Sequence, residues 1–228
     1  MLAVSLRRLR AESGHTLMEL VVAMSLGMGI LLISFALLDR SLGLSNEVGD
    51  RVDAVQRGRL AMDTITRQLR SQVCLGAVPA LVTAQDDTVS FYTNLSDGSR
   101  PPERHTLTYD NATGTLEQTA LVGTGFPPAT SFLGAPRRNV LLNRAARNGT
   151  SPVFNFFGFD TANPPKAVAP LVAPLSALDR ERTARIVITF VSRPTRAKST
   201  NNRAAVLTDE IFVRSADPND PAPVPKCA

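Results

Sequence analysis

Between Leu20 and Leu38 the chain reads LVVAMSLGMGILLISFALL, 19 residues without a charge. No other feature restricts the fold so tightly. At about 1.5 Å per residue, a helix of roughly 20 residues crosses a hydrocarbon core of about 30 Å. The apolar part of a secretory signal peptide is shorter, roughly 7–15 residues, and a small-x-small cleavage site follows it. Here the run ends in Leu38-Asp39-Arg40, with no such site. The run therefore reads as a retained, single membrane-spanning helix. Arg7, Arg8 and Arg10 precede it against one acid, Glu12, so the N-terminus is expected in the cytoplasm and the chain after about residue 40 outside it.

Mean hydropathy over the 228 residues is 0.00, so an extreme this apolar leaves the remainder distinctly polar. That average excludes a polytopic membrane protein, and a hydrophobic content of 43% excludes wholesale disorder. Two Cys and two His rule out a disulfide-rich scaffold and a four-Cys zinc site.

Glu19 stands at the start of the apolar run, where an ionised carboxylate is costly without a partner. Taken alone, it either snorkels to the interface or pairs with another group. Residues 13–20 read Ser-Gly-His-Thr-Leu-Met-Glu-Leu, behind a basic leader and directly before the apolar run. This resembles the processing site of type IV prepilins and type II secretion pseudopilins. The resemblance implies a leader over residues 1–14, prepilin peptidase cleavage between Gly14 and His15, and N-methylation of His15, where the family usually has Phe. It also assigns Thr16 and Glu19 to filament assembly. Cleavage creates a new α-amine beside an apolar helix, and the fifth mature residue, Glu19, can neutralise it in its own or a neighbouring subunit. A buried ion pair of this kind is favourable only with good geometry.

The helix is expected to outrun the membrane. Val48, Val52, Val55, Met62, Ile65, Leu69 and Val73 recur mostly at three- or four-residue spacing, with charged residues between them. Gly76 is placed as its C-cap, with Pro79 beyond, and Gly27, Gly29 and Gly43 as points where it bends or unwinds. The expected organisation is a membrane and filament-core helix over 15–44 and an exported domain over 45–228. That domain comprises helix 45–76, a β-rich part 77–216 and an extended tail 217–228 (DPNDPAPVP at its start). Strands are expected at Thr88–Thr93, Arg104–Tyr109, Thr115–Leu121, Val153–Phe159, Ala184–Val191 and Glu210–Arg214, with a hairpin turn over 110–114. Leu121–Pro136 and Ala162–Pro174, rich in Gly, Pro and Ala, are expected to be irregular. The fold class is thus α+β, a long N-terminal helix packed on an antiparallel sheet, which is the pilin-like architecture. Asn139–Arg144, Pro152–Phe157 and Glu210–Arg214 are further similar to J-type minor pseudopilins and related minor pilins.

Cys74 and Cys227 could pair across 153 residues in an exported compartment, tying the Pro-rich tail to the helix. The alternative is two free thiols, with Cys74 buried in the helix–sheet seam. No GxSxG, HExxH, CxxC or phosphate loop is present. His105 stands alone in a strand and reads as a surface or satisfied residue, so no enzyme and no cofactor is expected. Asp86, Asp87 and Asp97, or Asp217 and Asp220, lack EF-hand spacing and read as solvated loops rather than a calcium site. Net charge is +5, and loss of residues 1–14 leaves +3. Arg137, Arg138, Arg144 and Arg147 form the densest basic patch, but no aromatics interleave them, so DNA is not expected as a partner. The implied function is a minor pilin or pseudopilin, whose partners are prepilin peptidase, membrane lipid before assembly and other pilin subunits afterwards. The rival reading is a single-pass anchored binding module that never polymerises.

Overall fold

The computed structural model describes residues 16–76, 78–94, 101–125, 130–160, 166–195, 204–213 and 227. The chain divides into two compact units, Met1–Val48 and Gly49–Ala228. Helix α1, Leu17–Arg70, contributes to both.

In the first unit, α1 is apolar around its whole circumference between Leu20 and Leu38. Leu26, Ile30, Phe35 and Leu38 point in different directions and each is more than half exposed. The Ser25 and Ser34 hydroxyls donate back to the Val22 and Ile30 carbonyls at 2.9 and 2.8 Å, so neither leaves a free polar group on the apolar surface. The helix runs unbroken through Gly27, Gly29 and Gly43 rather than unwinding there.

The second unit is α+β. Strands β1 (Leu81–Ala84), β2 (Thr88–Thr93), β3 (Glu103–Asp110), β4 (Thr115–Val122) and β5 (Arg137–Asn143) form an antiparallel meander in sequence order. A second antiparallel sheet has the order β10-β9-β7-β8, where β7 is Phe154–Gly158, β8 Ala169–Leu171, β9 Arg185–Ser192 and β10 Ala205–Phe212. Strand β6, Ala145–Ala146, pairs with the end of β9. Among the described residues there are thus two sheets where the sequence reading has one. Both share one core with α1: Met62, Ile65 and Leu69 pack with Phe91, Leu107 and Leu116 of the first sheet and Phe154, Ile186 and Phe190 of the second. The alternation expected from Ile186, Ile188 and Phe190 places all three fully inside.

Several boundaries differ from expectation. The last strand covers Ala205–Phe212, upstream of Glu210–Arg214. Segments expected to be irregular hold β8, whose Pro170 is tolerated because β8 is an edge strand. Strands β1 and β5 and the short helix α2, Ala177–Arg182, were not anticipated. Ser176 caps α2 by accepting the Asp179 N–H at 3.1 Å. Helix α1 ends at Arg70, so Gly76 lies in a later turn and is not its C-cap. The Ser71 hydroxyl takes the Gln68 carbonyl at 2.7 Å, and the Val73 N–H donates to Tyr92 O at 2.9 Å. The chain leaves the helix because the edge of β2 captures it.

Candidate functional site

Thr16 immediately precedes α1. Its Oγ1 accepts the Glu19 N–H at 3.3 Å, and its carbonyl accepts from the Glu19 and Leu20 N–H groups at 2.9 and 3.2 Å. This is N-capping, in a Thr-x-x-Glu arrangement that the sequence carries openly. The Glu19 carboxylate also lies in the first helical turn, where the helix dipole favours negative charge. Thr16 and Glu19 thus start the helix, a role that the charge argument alone passed over. Beyond them α1 is long and apolar enough to cross a membrane. Gly14, His15 and the basic leader lie outside the described residues.

In the second unit, the face of α1 that meets the sheets begins with small residues, before Met62, Ile65 and Leu69 enter the core. Ala54, Gly58 and Ala61 are buried, whereas Val48 and Val52 of the expected stripe are 62% and 49% exposed. The buried Ser192 hydroxyl on β9 donates to the Ala54 carbonyl at 2.7 Å. A Cβ on Gly58 would stand 2.2 Å from Leu207 Cδ1, the end of a flexible side chain, and 3.0 Å from Ser192 Cβ, so helix and sheet approach closely at this glycine. An apolar-stripe search finds Met62, Ile65 and Leu69 but overlooks Gly58, because glycine adds nothing to hydropathy.

A polar relay crosses the same seam. Gln68 Nε2 donates to Gln118 Oε1 at 2.8 Å, and Gln118 Nε2 donates to His105 Nδ1 at 2.8 Å. The imidazole proton then belongs on Nε2, which donates to Glu103 Oε2 at 2.9 Å, and Arg137 approaches Glu103 Oε1 at 3.4 Å. His105 is buried with both nitrogens partnered, a satisfied residue joining β3 to the helix.

Three arginines of the expected four-residue basic patch are ion-paired. Arg137 pairs with Glu103, Arg138 with Glu117, and Arg147 makes a bidentate pair with Asp87. The Asp87 pair holds the Arg147 pKa above its ordinary value, chiefly through the hydrogen bond. Asp97, Asp217 and Asp220 lie outside the described residues. Among the described residues no three His, Cys, Asp or Glu side chains gather where a metal could sit. Cys74 and Cys227 are disulfide-bonded, with Cα atoms 5.4 Å apart across 153 residues, and Cys74 lies past the end of α1 rather than within it. The rest of the expected tail lies outside the described residues.

The feature these residues define is an uncovered apolar helix with a capped, acidic first turn, attached to a disulfide-closed α+β unit. No protein-family model matches the chain, and no curated protein matches it.

Proposed function

We propose that the protein is a minor pilin or pseudopilin: inserted as a prepilin, cut after Gly14, and built into an extracytoplasmic filament through the apolar half of α1. The observation that carries this reading is the uncovered all-round apolar surface of α1 from Leu20 to Leu38, directly behind Thr16 and Glu19. A single anchoring helix needs cover from lipid only. A filament subunit needs a helix that exchanges lipid for neighbouring helices at little change in apolar burial, and that carries one charge to set its register. Glu19 supplies the charge, and the amine exposed at His15 is its complement. Leaving that amine buried and unpaired costs several kcal/mol. The α+β unit then decorates or caps the filament.

The test is immunoblotting of membrane and sheared-filament fractions, with intact mass of the extracted protein, for wild type, Gly14→Val and Glu19→Ala. Wild type should lack residues 1–14 and occur in filaments. Gly14→Val should remain full-length in the membrane, because the peptidase must approach that backbone closely. Glu19→Ala should be processed but depleted from filaments. Full-length wild-type protein confined to the membrane would establish the anchored module instead.

A further inference from the structure

At the junction of the two sheets lies a cleft of about 480 Å³, and we propose that it binds a phosphate monoester carried on a sugar-sized body. This goes beyond the filament reading and does not depend on it. One wall is the β3–β4 turn with Asn111 and Thr113; the other is formed by Arg144, Arg147 and Arg193. Among the described residues no carboxylate is in its lining, and Asp110, next to the turn, is occupied by the Ala112 N–H and the Thr113 hydroxyl. Arg147 is held by Asp87, but no carboxylate lies within ion-pair reach of Arg144 or Arg193 among the described residues. Other arginines on nearby strands are matched, Arg137 by Glu103, Arg138 by Glu117 and Arg185 by Glu210. Arg104 on β3 lies over the Phe132 ring outside the cleft, so at the cleft it is Arg144 and Arg193 that leave positive charge unmatched.

The site is also held in shape. Asn143 pairs with Thr115 in the first sheet and Ala145 with Ser192 in the second, so Arg144 is the residue at which the chain changes sheets. It does so with φ +62°, a left-handed conformation that favours Gly or Asn, and the chain has an arginine there. The Arg193 N–H donates to the Arg144 carbonyl at 3.0 Å, and the Ala145 N–H to the Gly114 carbonyl at 2.7 Å, which fixes the turn against the crossing. The Tyr109 hydroxyl donates to Asn111 Oδ1 at 3.2 Å, leaving the Asn111 NH2 as a neutral donor on the wall.

The chemistry selects the ligand class. Guanidinium groups recognise carboxylate and phosphate; Arg144 and Arg193, with the Asn111 amide beside them and Arg147 shared with Asp87, offer more donors than a carboxylate with two oxygens can use and suit a dianion with three. A polyanion such as nucleic acid needs a basic track leading away from the cleft, and the flanking arginines are neutralised. The volume falls within the range of small-molecule sites, about 300–1,000 Å³, and leaves room for more than the phosphate.

The experiment is calorimetric titration of the full-length chain in uncharged detergent with glucose 6-phosphate, glucose and gluconate. Glucose 6-phosphate should bind, more weakly as salt rises, and glucose should not. Arg193→Gln and Arg144→Gly should each weaken binding about tenfold or more, while Arg137→Gln should not. Arg144→Gly keeps the left-handed backbone accessible, so its thermal midpoint should equal or exceed wild type, separating lost charge from lost fold. No phosphate-dependent heat, unchanged affinity in both variants, or gluconate binding as tightly as glucose 6-phosphate would overturn the proposal. So would a single-stranded DNA that binds without competition from glucose 6-phosphate.

Discussion

Gly58 and Arg144 each decide more than their size or charge suggests. At Gly58 two effects oppose one another. Alanine gains about 1 kcal/mol of helix propensity over glycine, but its Cβ collides with Leu207 Cδ1 and crowds Ser192 Cβ, and overpacking costs about 1–3 kcal/mol. Gly58→Ala should therefore destabilise the fold by about 1 kcal/mol in denaturant titration. In a Leu207→Ala background the collision is gone, and the same substitution should become neutral or stabilising. A Gly58→Ala effect unchanged by the second mutation would mean that Leu207 does not set the helix–sheet distance. Arg144 is the converse case, a residue placed where its backbone is disfavoured. Its +62° φ cannot be read from the sequence, since nothing in Leu-Asn-Arg-Ala-Ala marks a change of sheet.

At the scale of elements, periodicity located what packing later used, and misjudged where each element stopped. Strands β2, β3, β4, β7 and β9 fall within one or two residues of their expected positions, because their alternation is strong and turn residues bound them. Strand β5 escaped because it is an edge strand whose side chains are mostly exposed, with no alternation to detect. Helix α1 ends six residues before Gly76 because Gln72 and Val73 pair with β2, a long-range contact that no local signal reports. The helix nonetheless belongs to the core through Met62, Ile65 and Leu69. A fragment over 49–228 should therefore be soluble with a cooperative thermal transition, whereas 78–228 should aggregate, its sheets having lost their cover. A soluble 78–228 fragment that melts cooperatively would show that α1 is dispensable to the fold.

Across the whole molecule, the Cys74–Cys227 bond ties a residue near the C-terminus to the chain just beyond α1 and closes a loop spanning 153 residues. Closing so long a loop restricts the unfolded chain, which corresponds to about 3–5 kcal/mol of stability. Cys227→Ser should lower the unfolding free energy by that amount, and reducing the wild-type protein should reproduce the loss; a change below about 1 kcal/mol would mean that the unfolded chain is already compact. By itself, the sequence determined that the chain carries one apolar helix fit to cross a membrane, an amphipathic continuation and an α+β unit of alternating strands. Each of these follows from composition and spacing along the chain, where the hydrophobic effect acts locally. The tertiary structure alone decided that the described strands form two sheets, that Ala54 and Gly58 rather than Val48 and Val52 are buried on the helix, that His105 joins a relay, and that Arg144, Arg147 and Arg193 line one cleft. Those facts depend on residues separated by tens of positions, which become neighbours only after the core has chosen its pairings.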